Sequence, residues 1–271
     1  MLNESLVKYL AGLFDADGSA SFTFRRQRDE HTEDLYYTGL TLRLASSEAV
    51  DLNGFVLSLP ELTGMGNISH YGANKQFYTW YINKRSHQEM LIPRLVKHML
   101  IKAKHFQWQL EVLRENSAKL ITPAQCDELR HASRASRIER VGPLKPKNHT
   151  SWAWLAGYLD GDGTYALRRY TPNGYEQWNI SITATAHIND ADVLHFLART
   201  IGGLVRSHGR DTDHLKTWYL NLGAKNSSHA LRVLPYLAKH SRLKRHKIEQ
   251  MIHHHRQQRL TVPTPAGEVI V

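Results

Sequence analysis

Thiols are almost missing from this chain. Cys126 is its single cysteine, so no internal disulfide can form and a zinc site built from several thiolates is excluded. A reducing compartment fits that usage. Long apolar runs are missing too. Hydrophobic residues make up 41% of the chain, yet no stretch approaches the roughly 18 apolar residues of a membrane span. The opening Met1-Leu2-Asn3-Glu4 lacks the basic start of a secretory signal. An intracellular protein without a membrane partner is therefore expected. Negative charge is the third shortage. Lysine and arginine total 35 against 25 acidic residues, giving a net charge of +10. The basic residues are scattered rather than gathered in a tail. Such a balance fits either a soluble basic protein or a partner of a polyanion, since cationic side chains bind phosphates.

What the chain has in duplicate is a nine-residue stretch. Leu10-Ala11-Gly12-Leu13-Phe14-Asp15-Ala16-Asp17-Gly18 returns as Leu155-Ala156-Gly157-Tyr158-Leu159-Asp160-Gly161-Asp162-Gly163, 145 positions later. With 271 residues there is room for two domains with their own cores. The repeat predicts a division into 1–118, a helical linker over 119–150, a second domain over 151–260 and a tail over 261–271.

The surrounding pattern repeats as well. Ser5 is expected to cap a helix through Leu6, Tyr9, Leu10 and Leu13 that ends near Gly18. Ser19 to Arg25 then alternates, and Leu40, Leu42 and Leu44 alternate with Thr41 and Arg43, predicting two antiparallel strands. Ser47 is expected to cap a helix that Pro60 stops. Strands follow over 66–71 and 77–83, then helices over 86–116 interrupted at Pro93. In the second half, Thr164 to Tyr170 and Asn179 to Thr185 read as strands. Asn189 should cap a helix, and Thr217-Trp218-Tyr219 matches Thr79-Trp80-Tyr81. Residues 124–140 read as a helix, followed by an extended linker at 141–147. Each half thus reads α-β-β-α-β-β-α, an α+β fold of two pseudo-symmetric domains, each with a four-stranded antiparallel sheet.

Asp15 and Asp17 fall at a helix C-terminus, where the macrodipole disfavours carboxylates. A divalent cation would offset this, since hard cations take carboxylate oxygens. Gly12 and Ala16 are four apart, as are Gly157 and Gly161. Such a stripe lets two helix backbones approach closely. Packed along it, the helices would bring their acidic ends together into a metal site suited to phosphodiester cleavage. A duplicated Asp-x-Asp-Gly turn is the plainer alternative. The ligand ladder of an EF-hand is lacking.

The two stretches resemble the motif of LAGLIDADG homing endonucleases in their single-chain, two-motif form. Phe14, Tyr158, Leu159 and Gly161 depart mildly from the motif. The resemblance implies a saddle of two sheets over double-stranded DNA, with the motif helices at the domain interface. It implies a monomer that cuts both strands of a long, partly palindromic site and serves intron or gene mobility. Mg2+ is the implied ion. Mn2+ is the implied substitute, and Ca2+ is expected to support binding without cleavage. Asp17 and Asp162 match the family's metal-binding acids, assisted by the carbonyls of Ala16 and Gly161. Asp15 and Asp160 match the more structural acid. Lys102 and Lys244 match the family's lysines near the scissile phosphate, with Lys104 and His246 as neighbouring registers. Glu48 matches a polar position that supports the water network. An RNA-splicing maturase and a non-cleaving DNA-binding regulator share the fold and are the alternatives.

The alternation also selects a polar sheet face that could read base edges in the major groove. In the first half it holds Ser21, Thr23, Arg25, Gln27, Thr41 and Arg43; in the second, Arg168, Tyr170, Asn179, Ser181, Thr183 and Thr185. His253-His254-His255 would point in different directions on a helix, so no joint metal site is expected. His98 and His240 repeat without an evident partner. Trp80 and Trp218 read as core, and Cys126 is assigned no chemistry.

Overall fold

The structure is a computed structural model, described here for residues 2–27, 34–116, 119–138, 151–170, 177–187, 191–207, 215–222 and 227–261. By packing, the chain divides into Met1–Asp162 and Gly163–Val271. The second motif helix therefore groups with the first unit, although the repeat places it at the head of the second copy.

The first unit opens with α1, Glu4–Ala16. Its cap is Asn3, not Ser5: the Asn3 Oδ1 accepts the Ser5 amide at 2.8 Å. The helix begins two residues earlier than the Ser5 reading requires, so Ser5 N–H is itself one of the orphan donors of the first turn. Two long strands follow, β1 (Ser19–Arg26) and β2 (Tyr36–Ser47), then α2 (Phe55–Thr63), β3 (Asn67–Tyr71) and β4 (Phe77–Ile82). Pro60 lies inside α2 rather than ending it. It costs one ladder bond, while Asp51 fixes the helix start by accepting the Phe55 and Val56 amides, both at 2.7 Å. Gly64, at φ +68°, is where the chain leaves the helix.

Helices α3 (Arg85–Val96) and α4 (Ala103–Glu115) come next, then β5 (Leu120–Ile121) and α5 (Pro123–Ile138). The interruption predicted at Pro93 falls instead across Lys97–Lys102, with Pro93 inside α3. Its cause is tertiary: a buried carboxylate collects the amides of Leu100, Ile101 and Lys102. The unit closes with α6, Trp152–Asp162.

The first sheet runs β1-β2-β4-β3, all neighbours antiparallel, and β5 adds a fifth, short pairing on β2. A strand of two residues carries no periodicity, so β5 is not legible from alternation. Ala20, Leu40, Leu42, Leu44, Tyr78, Trp80 and Ile82 are buried on the face beneath the helices. Trp80 is fully buried and its Nε1 donates to the Met65 carbonyl at 2.9 Å. This meets the rule that a buried indole N–H finds an acceptor. Arg130 of α5 lies over the Phe24 ring at 4.9 Å, covering the end of β1.

The second unit holds β6 (Gly163–Tyr170), β7 (Gln177–His187), α7 (Ala191–Ile201), β8 (Leu204–Ser207), β9 (Leu215–Asn221), α8 (Ser227–His240) and α9 (Arg245–Thr261). Its sheet runs β6-β7-β9-β8, antiparallel throughout. Tyr165, Ile180, Ile182, Ala184, Trp218 and Leu220 face its core. Trp218 repeats the arrangement of Trp80, donating to the Gly202 carbonyl at 2.9 Å. Two antiparallel four-stranded orders with the same connectivity bear out the α+β duplication. Asn189, the linker at 141–147 and the tail beyond residue 261 lie outside the described residues.

Candidate active site

The site starts from two helices that touch through glycine. A Cβ added to Gly12 would meet the Trp154 carbonyl oxygen at 2.1 Å, and one on Gly157 would meet the Tyr9 carbonyl oxygen at 2.0 Å. Only a residue without a side chain fits at either place. The same logic runs to the helix ends. A Cβ on Gly161 would lie 2.4 Å from the Ala16 Cβ and 3.1 Å from Asp17 Oδ2. The small-residue stripe is therefore the contact, and the Asp17 carboxylate lies against the last turn of α6, whose terminal residue is Asp162.

The four aspartates separate into two kinds. Asp17 is exposed and Asp162 half-buried, whereas Asp15 and Asp160 are buried. Asp15 Oδ2 accepts the Leu100 amide at 2.7 Å and the Trp154 Nε1 at 2.9 Å. Its Oδ1 accepts the Ile101 and Lys102 amides at 3.2 and 2.8 Å. Burial nevertheless pushes this carboxyl above its ordinary value, against the hydrogen bonds and the Lys102 charge that pull it down. Asp160 Oδ2 accepts the Tyr9 hydroxyl at 2.8 Å. The inner acids thus tie the helices to their surroundings, and the outer ones stand at the helix ends.

Lys102 follows from the Asp15 turn. It occupies the position before α4 and donates its ammonium to the carbonyls of Phe14, Ala16 and Gly18 at 3.0, 2.7 and 2.9 Å. These are carbonyls of the last turn of α1 and just beyond, where cations are favoured. Lys244 stands before α9 and donates to the Gly163 carbonyl at 2.6 Å. Gly163 is the counterpart of Gly18 in the repeat, so the two lysines are equivalent in place as well as in sequence. Lys104, by contrast, lines a groove with Gln107, Trp108, Glu111, Ala132, Ala135 and Ser136 between α4 and α5.

The groups that close the two helices, the carboxylates of Asp17 and Asp162 and the preceding carbonyls of Ala16 and Gly161, offer only oxygen donors. That chemistry suits a hard divalent cation such as Mg2+, and the missing side chain at Gly161 keeps the space beside Asp17 Oδ2 clear. The Ala16 carbonyl already accepts Lys102, which leaves it one lone pair. Among the described residues no group of three or more His, Cys, Asp or Glu side chains could hold a metal.

The first unit also carries a polar groove, lined by Thr23, Arg25, Thr41, Arg43, Ser69, Thr79, Tyr81 and Asn83. Arg25 and Arg43 are exposed, Ser21 is half-buried, and Thr41 is buried among its neighbours on that face. Gly39 opposite Thr23 makes room, since a Cβ there would lie 2.7 Å from Thr23 Oγ1. Gln27 sits one residue past β1, with its amide on the Leu35 carbonyl at 2.8 Å. Ser69, Thr79, Tyr81 and Asn83 escaped the sequence reading, which used only the first two strands. The alternation of β4 carried the signal: Thr79 and Tyr81 face opposite to Tyr78, Trp80 and Ile82.

In the second unit Thr164, Ala166 and Arg168 stand opposite Thr183, Ser181 and Asn179. Arg168 and Thr185 are exposed, Thr183 is half-buried and Ser181 is buried. Thr185 and Thr217 hydroxyls lie 3.3 Å apart. The side chains of Tyr170 and Asn179 lie outside the described residues. Tyr219 and Asn221 pair with Thr183 and Ser181 and extend this face.

The remaining candidates stand apart. Glu48 is exposed just past β2. His98 Nε2 lies 2.7 Å from Glu4 Oε1 near the start of α1. Burial and the charges of Lys239, Arg242 and Arg245 hold His240 below its ordinary value. His253 is exposed and His255 buried, so the histidine run does diverge. Burial pushes the Cys126 thiol up, away from thiolate reactivity. No helix among the described residues is long and apolar enough to cross a membrane.

Fold and site together define a duplicated α+β chain with paired acidic helix ends. Its first copy is similar to the LAGLIDADG endonuclease family, whose model matches residues 10–110, in line with the resemblance carried by the two motifs. No curated protein sequence matches the chain. Among solved structures, I-SmaMI bound to an uncleaved DNA target in the presence of calcium ions superposes with a TM-score of 0.68 at 16% identity, covering 98% of this chain and 95% of that one. The I-SmaMI LAGLIDADG homing endonuclease bound to cleaved DNA gives 0.66 at 17% identity, covering 98% and 93%. The I-LtrWI LAGLIDADG homing endonuclease bound to target DNA gives 0.69 at 13% identity, covering 95% and 92%. At these identities the likeness is one of fold.

Proposed function

We propose that this protein is a monomeric, metal-dependent endonuclease that cuts both strands of a specific double-stranded DNA site. The observation that carries the reading is the meeting of α1 and α6 through Gly12, Gly157 and Gly161, with one acidic residue at each helix end. The family match over residues 10–110 supports nuclease chemistry, and two similar folds bound to DNA support the partner.

In this reading Asp17 and Asp162 hold Mg2+, with the carbonyls of Ala16 and Gly161 as further donors. The ion, when bound, polarises phosphate oxygen and lowers the pKa of water. Lys102 and Lys244 present fixed positive charge beside the two helix ends, where it stabilises charge that develops on a phosphate. Asp15 and Asp160 hold the frame and do not touch the phosphates. The polar groove of β1–β4 and the equivalent face of β6–β9 read base edges. Arg25, Arg43 and Arg168 are placed for guanine, and Ser21, Thr23, Gln27, Thr41, Tyr170, Asn179, Ser181, Thr183 and Thr185 for other edges and phosphates. The side chains of the two faces differ, so the target is only partly palindromic. A role in the mobility of an intron or gene accords with such a reaction.

The test is cleavage of a randomised duplex library with Mg2+, with both ends of every product sequenced. A defined motif cut on both strands is expected. Specific binding without a cut would replace this reading with that of a DNA-binding regulator.

A further inference from the structure

Lys102 is set in place by a residue of the other motif copy. Trp154 belongs to α6, yet its indole N–H donates to Asp15 of α1 at 2.9 Å. Asp15 in turn accepts the Leu100, Ile101 and Lys102 amides. Those three amides form the turn from which the Lys102 side chain reaches the Phe14, Ala16 and Gly18 carbonyls. The indole has little freedom: Trp154 is 2% exposed and stacks on Tyr158 with the rings 5.4 Å apart and 11° from parallel. Its own backbone carbonyl is the atom against which Gly12 packs. Four N–H donors thus converge on one buried carboxylate, and three come from the lysine's turn.

We propose that Trp154 is a positioning residue for Lys102, acting through Asp15, so that the second motif helix sets the rate of one of the two strand cuts. The inference rests on the nuclease reading for its consequence. The geometry beneath it involves only the first unit. Trp154→Phe keeps the aromatic ring and removes the N–H. Asp15 Oδ2 then loses a donor, and the turn carrying Lys102 loses part of its anchor. Lys102 is bonded to the carbonyls on either side of Asp17 at the end of α1, while Lys244 is bonded to the residue after Asp162. A displaced Lys102 therefore affects one strand more than the other. A general loosening of the helix interface would slow both alike.

The experiment follows nicking of each strand separately, on a duplex with the two strands labelled differently, in Mg2+. Trp154→Phe is expected to slow one strand about tenfold more than the other, the scale of a hydrogen bond to a charged group. Lys102→Ala should slow the same strand. In the Lys102→Ala background, Trp154→Phe should add nothing further to that strand. Equal slowing of both strands, or additive effects of the two changes, would overturn the assignment. Amide hydrogen exchange supplies an arm independent of cleavage. In Trp154→Phe, the Leu100, Ile101 and Lys102 amides should exchange about tenfold faster while β4 amides keep their rates. Unchanged exchange at those three amides would overturn the positioning role whatever the nuclease does. Failure of the wild-type protein to cut any duplex, with the exchange effect present, would instead overturn the nuclease reading alone.

Discussion

Gly12 lies against the backbone carbonyl of Trp154 so closely that a methyl group there would come within 2.1 Å of its oxygen. Gly157 stands in the same relation to Tyr9 at 2.0 Å. The pair Gly12–Trp154 and the pair Gly157–Tyr9 are one contact written twice, related by the repeat. Backbone meets glycine in both directions, so neither helix can yield alone.

Gly12→Ala and Gly157→Ala are therefore expected to force the helices apart. Overpacking of this kind costs about 1–3 kcal/mol or more. Chemical denaturation should show a lower midpoint for each. Cleavage should fall further than stability does, because Asp17 and Asp162 separate with the helices. Wild-type midpoints in both variants would refute the contact.

Asp17→Asn or Asp162→Asn should abolish cleavage while leaving the fold and DNA binding intact. Asp17 is exposed and Asp162 half-buried, so neither change removes core packing. Thermal unfolding, a binding titration in Ca2+ and a cleavage assay in Mg2+ separate the three properties. A chelator should stop cleavage in the wild type and leave its unfolding midpoint unchanged. Normal cutting by either variant would end the metal assignment.

Asp15 responds to pH in a definite direction. Burial raises its carboxyl above the ordinary value, so the folded protein keeps a proton that the unfolded chain releases. Stability should fall as pH rises from the ordinary value to the raised one and then level off. Asp15→Asn should remove that slope. It should also cost about 1–3 kcal/mol, because one amide N–H2 would replace an oxygen that accepts two N–H groups. Denaturant melts across acidic pH read both effects. A slope unchanged by Asp15→Asn would assign it to other groups.

Arg43→Ala should weaken binding to the cognate site by about 1–3 kcal/mol and relax preference at one base pair. Arg43 is exposed on the polar face and pairs across the sheet with Ser19 and Tyr81. Tyr81→Phe tests a position that the strand alternation should have revealed. Binding of the wild type should also weaken steeply with salt. A flat salt response would refute the basic-groove reading. Selection of sites by each variant from a random library gives the altered position directly.

The sequence by itself determined the duplication, the strand faces and the identity of the paired acids. Alternation and helical spacing are local, so Leu40, Leu42 and Leu44 declare their buried face without knowing what covers it. Glycine spacing declared that two helices touch, since only close backbones need that stripe. Tertiary structure decided the rest. Asn3 displaced Ser5 as the cap, Pro60 and Pro93 stayed inside their helices, and the break before α4 fell where Asp15 collects three amides. The donation from Trp154 to Asp15 joins positions 139 residues apart, and the Lys102 ammonium reaches carbonyls more than 80 positions away. No periodicity records such bonds. A buried carboxylate draws whatever donors the folded chain brings to it, and which donors those are is fixed only when α1, α6 and the turn before α4 come together.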